Sequence, residues 1–168
     1  MAEAVFAARA RLTPLASRIK IDSCGTAAYH VGETPDERTV STCRKHGVPI
    51  DSRARALNAA DFRNFTHIIA MDTNNLRNII AARPPHTPAK IHLFSSFSHD
   101  PLIADASPPK SIVDPYYGGI NGFETCYEQC VDFSDGFLEM LADGRLDGVQ
   151  GEAQDFVKEV KKGRKAGL

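Results

Sequence analysis

The 168-residue sequence has no tryptophan, only four tyrosines and four cysteines, and no long apolar run. Its 20 basic and 21 acidic residues give a net charge of -1, which excludes the strong positive field that gathers nucleic acid or an anionic membrane. No apolar stretch approaches the roughly 18 residues that span a bilayer, and the first residues lack the pattern of a secretion signal. We therefore expect a cytoplasmic protein with neither nucleic acid nor membrane as partner.

The cysteines are spread along the chain without a C-x-x-C pair, at Cys24, Cys43, Cys126 and Cys130. This spacing argues against a zinc site and against a framework of disulfides, so reduced thiols are expected. Cys126 and Cys130 are four residues apart on a predicted helix and share one face. Small buried thiols usually pack in such a position, so the pair is interpreted as structural.

The first part of the chain predicts two helices separated by a short strand. Apolar residues at helical spacing predict a helix over residues 1–12, and the alternation around Ile19 and Ile21 predicts a strand that ends before Gly25. Thr34 then offers a helix cap, with proline at the next position, and Gly47 is a typical helix stop.

The second part alternates strands and helices. Buried strands are predicted at 66–71 and 90–94, with a helix capped by Asp72 between them. Residues 95–113 are rich in serine, proline and aspartate and predict a long loop. Asn121 is the predicted cap of a final helix whose apolar stripe, from Phe123 to Leu141, is core.

This order of elements predicts an α/β fold, a three-layer sandwich around a central, mostly parallel sheet. Residues 1–143 are expected to form a single domain, and residues 144–168, rich in glycine and charge, a flexible tail.

The stretch DPYYGG at 114–119 follows the long loop and precedes the last helix. Asp-Pro followed by a glycine pair is commonly simple turn punctuation. Ligands of parallel sheets, however, gather where strands end and loops begin, so Asp114 is also a candidate functional residue.

The chain resembles the low-molecular-weight protein tyrosine phosphatases up to about Leu141. The resemblance rests on the order and spacing of MAEAVF, IDSCG, TPDERTVSTCRKHG, the Met71-Asp72 step with the following NLR, and DPYYG with FETCYEQC. It implies hydrolysis of phosphotyrosine, in proteins or as small aryl phosphates, through a cysteinyl-phosphate. It implies no cofactor or metal, because backbone dipoles and an arginine meet the phosphate charge.

The resemblance also implies roles for individual residues. Asp114 is implied to be the general acid that protonates the leaving phenolate. Tyr29 and Tyr116 are implied to flank the substrate ring, with Tyr117 as a further candidate. The Asp22-Ser23 pair is implied to support the phosphate-binding loop.

One departure separates the chain from the family. The family's nucleophile lies in C-x5-R, but the residues six positions after the four cysteines are His30, Pro49, Asp132 and Gly136. We therefore assign no nucleophile, and expect that the loop and a central strand were encoded ahead of Met1. Without that loop, the chain as given is expected to be inactive. Without the strand, it is expected to be marginally stable or unfolded, unless another element fills the gap.

Two other interpretations remain open. The protein could be a natural pseudophosphatase that binds a partner without catalysis. An arsenate reductase relative is disfavoured, because thiol relay needs a cysteine array that these four do not form.

Overall fold

A computed structural model describes residues 1–117 and 120–148, with the side chains of residues 117, 120, 147 and 148 outside the description. The elements, in chain order, are α1 (Ala2–Ala10), α2 (Glu37–Lys45), α3 (Asp61–Asn64), β1 (His67–Ala70), α4 (Thr73–Ala82), β2 (Lys90–Leu93), a 3₁₀ helix (Phe94–Phe97), α5 (Pro101–Ala104), a 3₁₀ turn (Pro115–Tyr117), α6 (Ile120–Ala142) and a last 3₁₀ helix (Arg145–Gly148). Among these residues, no helix is both long and apolar enough to cross a membrane.

The two hydrogen-bonded strands of the described chain, β1 and β2, are parallel, with Ile68 opposite Ile91. Helix α4 connects them, as expected of a β-α-β unit. It begins after Asp72, whose side chain accepts a hydrogen bond from Asn75 N at 2.7 Å. Both predicted strands and the predicted cap are therefore confirmed, as is the α/β class.

The predicted strand at Ile19–Ser23 is wrong, because the described residues 19–24 contain no sheet hydrogen bonding and only Gly25 forms an isolated parallel bridge, with Ala56. A strand exists only when a neighbour lies about 4.8 Å away. Here a large pocket separates the segment from β1.

Helix α2 begins two residues later than a cap at Thr34 would give. Asp36 is the observed cap and accepts a hydrogen bond from Arg38 N at 2.8 Å. The predicted cap at Thr34 is therefore wrong, and the Asp36 carboxylate satisfies the N–H group of the first turn instead. The predicted stop at Gly47 is confirmed by its φ of +68°, which suits glycine.

Two predictions about the second half need correction. The loop predicted over residues 95–113 contains most of a 3₁₀ helix and all of α5, which is capped by Asp100. Asn121 lies inside α6, which begins by Ile120. The predicted apolar stripe is core, since Phe123, Cys130 and Phe137 are buried.

The core has two parts, one on each side of the sheet. Helix α6 packs with α1 and the 94–97 turn around a cluster that includes Val5, Phe97 and Phe133. Helix α4 and Phe62 pack with β1 and β2 in a second cluster. Together with the sheet these form the three layers of the predicted sandwich.

The predicted tail begins inside the described part of the chain. Leu146 is buried in the α6 cluster, and its carbonyl accepts a hydrogen bond from Lys90 Nζ at 2.7 Å. The rest of the predicted tail, 149–168, lies outside the described residues, and its flexibility stays a prediction.

Candidate active site

A pocket of about 840 Å³ is lined by segment 18–24 on one side and by strand β1 on the other. We call it the central pocket. Its walls also include the start of α1, one face of α6 and residues 114–116. Candidate residues from distant parts of the sequence meet here, namely Asp22, Ser23, Asp114 and Tyr116.

Asp114 lies at the rim of this pocket, at the start of the 3₁₀ turn Pro115–Tyr117. Its Oδ1 atom accepts a hydrogen bond from Tyr116 N at 2.9 Å, a local contact that aspartate commonly makes in turns. Two residues before Asp114, the backbone N–H of Ile112 donates a hydrogen bond to Met71 O at 3.0 Å. The end of β1 thus fixes the chain two residues ahead of the carboxylate.

Asp22 and Ser23 lie on the opposite wall. Arg55 binds Asp22 Oδ2 at 2.9 Å and Asp61 Oδ2 at 2.9 Å, and the Ser23 hydroxyl donates to Glu3 Oε2 at 2.5 Å. Hydrogen bonding to Asp61 and Asp22 raises the pKa of Arg55 above its ordinary value, so its charge persists at every working pH. These contacts tie the segment to α1 and α3.

Tyr29 does not share this site with Asp114. Its ring is 87% exposed and does not line the central pocket. Tyr116, 57% exposed, does line it. Tyr117 closes the 3₁₀ turn, but its side chain lies outside the described residues.

The four thiols differ in their electrostatic surroundings. Desolvation raises the pKa of Cys24 and of Cys43. A hydrogen bond from the Cys130 thiol lowers the pKa of Cys126 and raises that of Cys130, which is also buried.

Cys126 is therefore the cysteine whose pKa is lowered, and it lines the pocket together with Asp114. It lies within α6, however, where the backbone N–H groups are used by the helix itself. It cannot offer the cradle of free N–H groups that a phosphate needs. The pair's interpretation as buried packing is confirmed by exposures of 7% and 1%.

Arg38 contacts two residues that line the pocket, Tyr116 and Phe123, and sequence reasoning missed it. Its guanidinium lies 5.2 Å from the Tyr116 ring centroid and 4.6 Å from that of Phe123. The contact joins residues 78 positions apart, and no local pattern predicts such a distance.

The fold agrees with the comparisons to known proteins. The family model "Low molecular weight phosphotyrosine protein phosphatase" matches residues 1–145. The chain is 46% identical over 143 residues to the Schizosaccharomyces pombe protein of that name, covering 84% of this chain and 88% of the relative. The Saccharomyces cerevisiae protein of the same name is 39% identical over 140 residues, covering 83% and 84%.

A crystal structure of a protein tyrosine phosphatase from Entamoeba histolytica superposes with a TM-score of 0.76 at 29% identity, covering 86% of this chain and 88% of the other. The chain therefore belongs to the low molecular weight phosphotyrosine protein phosphatase family, a family of hydrolases.

Proposed function

We propose that this protein takes part in the hydrolysis of phosphotyrosine, in proteins or as small aryl phosphates, with Asp114 as the general acid. The observation that carries the proposal is that the exposed Asp114 lines the central pocket together with Tyr116, whose backbone N–H its carboxyl binds. A carboxyl group at such a rim can reach the ester oxygen of a phosphate bound inside.

In this proposal a cysteine thiolate attacks phosphorus, and protonated Asp114 gives its proton to the departing phenolate. The carboxylate formed then accepts a proton from the water that hydrolyses the phosphoenzyme. Tyr116, with Tyr117 as a further candidate, would pack against the substrate ring, whereas Tyr29 would have to move toward the pocket to do so. Asp22 and Ser23 would brace the phosphate loop from the opposite wall.

We propose further that the attacking cysteine lies outside these 168 residues. None of the four cysteines is followed by arginine six positions later, and the one with the lowered pKa is held inside a helix. The central pocket borders Met1, segment 18–24 and β1, which supports the idea that a strand and its loop fill this space. A cytoplasmic location would keep all these thiols reduced.

The alternative is a pseudophosphatase, in which the same surface binds a partner and catalyses nothing. Translation of the genomic DNA upstream of Met1, allowing for an intron, separates the two. An apolar run followed by Cys, five residues and Arg favours the enzyme. Stop codons alone favour the pseudophosphatase.

The decisive assay is hydrolysis of p-nitrophenyl phosphate. We expect no turnover above background from the 168-residue chain. In a longer gene product that carries the C-x5-R loop, we expect Asp114→Asn to lower kcat by about 10²- to 10⁴-fold. Asp105→Asn, an exposed carboxylate of the preceding loop, is the matched control and should leave kcat unchanged.

Turnover by the 168-residue chain that disappears with Asp114→Asn, but survives replacement of every cysteine, would refute the thiolate mechanism.

A further inference from the structure

The guanidinium of Arg38 lies between two aromatic rings, those of Tyr116 and Phe123. Its NH1 group also lies 3.3 Å from Tyr116 O, to which it donates a hydrogen bond. A planar guanidinium in this position combines ring stacking with directed hydrogen bonds. Arg38 thereby joins the first turn of α2 to the turn that carries Asp114 and to the first turns of α6.

The Arg38 side chain is itself held in place by Asp36. The Asp36 Oδ1 atom accepts hydrogen bonds from the Arg38 backbone at 2.8 Å and from Nε at 3.0 Å, and Oδ2 accepts from NH2 at 2.9 Å. Hydrogen bonding to the Arg38 side chain lowers the pKa of Asp36 to about 2. The carboxylate is therefore charged near neutral pH, and its hydrogen bonds orient the guanidinium of Arg38.

The turn that carries Asp114 is thus held on both sides. Before Asp114 in the sequence, the backbone N–H of Ile112 is hydrogen-bonded to the carbonyl of Met71, the residue that follows β1. On the side after it, Arg38 contacts both the carbonyl and the ring of Tyr116. Asp114 lies between these anchors, so its position relative to the central pocket depends on both.

We propose that Arg38 is the positioning residue of the acid-bearing turn: it fixes residues 114–117 through Tyr116 and so sets the distance between Asp114 and the bound phosphate ester. The positioning of the turn stands on the contacts alone, and its effect on proton transfer rests on the proposed function. Lysine cannot replace Arg38, because an ammonium lacks the planar fork that binds Asp36 while stacking on the rings.

A plain surface ion pair would behave differently. Exposed pairs contribute about 0–1 kcal/mol and impose little on distant residues. If Arg38 did nothing more than pair with Asp36 in the same helix, its removal would weaken α2 slightly and leave Tyr116 undisturbed.

The first experiment uses the 168-residue chain with fluorotyrosine and ¹⁹F NMR, the Tyr116 signal being assigned with Tyr116→Phe. We expect Arg38→Ala to move the Tyr116 resonance toward its value in the urea-unfolded chain. Amide exchange at Tyr116 should become about tenfold faster as the turn opens. Arg53→Ala, which removes an exposed arginine elsewhere, is the matched control and should change neither.

Arg38→Lys keeps the charge and should reproduce most of the change seen with Arg38→Ala. Circular dichroism establishes that each variant is folded, and Arg38→Lys serves as the test if Arg38→Ala is not. A Tyr116 resonance and an exchange rate that stay at wild-type values in the folded variants overturn the proposal.

The second experiment uses the longer gene product and two substrates. General acid catalysis matters for phenyl phosphate, a poor leaving group, and little for 2,4-dinitrophenyl phosphate, a good one. Arg38→Ala should lower kcat about tenfold for the first, since small misplacements of a catalytic group are costly, and hardly at all for the second. An equal loss for both substrates, or none, contradicts the link to proton transfer.

Asp114→Asn identifies which proposal has failed. If Asp114→Asn lowers kcat selectively for phenyl phosphate and Arg38→Ala does not, the role of Asp114 as general acid is supported and the positioning role of Arg38 is refuted. If Asp114→Asn shows no selectivity, the proposed role of Asp114 falls, while the NMR result still decides whether Arg38 holds the turn.

Discussion

His99 is a residue whose charge state affects how the loop after β2 is held against α6. Its ring pairs with Asp132 at 2.7 Å and with Glu139 at 3.2 Å, and the Ser98 hydroxyl also binds Asp132. Hydrogen bonds to Asp132 and then Glu139 raise the pKa of His99 above 6.5. A raised folded-state pKa means that the stabilisation is complete below the unfolded-state value and is lost as the pH rises through the folded-state value.

We therefore predict that urea stability falls as the pH rises above about 6.5, and that His99→Gln reduces this dependence. The effect should not exceed about 1 kcal/mol, because the pair is half exposed. Urea titrations at several pH values between 5.5 and 8.5 measure it, with the exposed His86 replaced by Asn as the control. An unchanged pH profile in His99→Gln would contradict the prediction.

The sequence predicts single residues well when their role is local. Asp72 caps its helix as predicted, because a side-chain oxygen three residues ahead of an N–H is a short-range geometry. Arg38 could not be found in this way, since the ring that it contacts is brought near only when α2 and α6 pack. The thiol pair lies between these cases, because helical spacing predicted the shared face but not which sulfur donates the hydrogen bond.

Helix α6 packs tightly against the 3₁₀ helix 94–97 at Gly136. A Cβ atom built there would lie 1.9 Å from Phe97 O, far inside contact distance. We predict that Gly136→Ala forces the two elements apart and lowers the free energy of unfolding by about 1–3 kcal/mol or more.

Gly122→Ala in the same helix is the matched control for this prediction, since its Cβ would meet Pro115 at an ordinary 3.7 Å. Alanine there should be neutral or stabilise the helix. Urea denaturation of both variants checks the pair, and equal stabilities would show that the close approach does not matter.

Strands β1 and β2 were predicted correctly, and the strand at 19–23 was not. Strands β1 and β2 are apolar runs that hydrogen-bond to each other. Residues 19–23 have an alternating pattern, but a pattern supplies no partner, and in the structure they border a pocket. The turns within 95–113 were missed because helices as short as α5 have no measurable periodicity.

In the described part of the molecule, we expect low local stability where segment 19–24 faces β1 across the central pocket. We predict by hydrogen exchange that amides of residues 19–22 exchange far faster than those of β2, where Lys90 N donates to Thr66 O at 2.8 Å. A longer gene product that carries the proposed strand should slow the exchange of residues 19–22. Protection of these amides in the 168-residue chain equal to that of β2 would contradict the picture of an open sheet.

For the whole molecule, the sequence predicted the fold class well, but it did not predict how the layers pack around the central pocket. Alternating strands and helices predicted the α/β layers, which the fold and the relatives confirm. The candidate site was predicted in part, since Asp22, Ser23 and Asp114 meet at the pocket whereas Tyr29 lies apart in solvent. How the layers meet at the pocket depends on packing between residues far apart in sequence.

The anchoring of Leu146 has a practical consequence for anyone who shortens this protein. Ending the polypeptide at the predicted boundary of 143 would remove a side chain that is 1% exposed and the carbonyl that Lys90 holds, baring apolar surface beside β2 and inviting aggregation. A shortened protein should instead retain residue 148. A reporter domain attached beyond that position would leave the buried Leu146 side chain and its hydrogen bond to Lys90 in place.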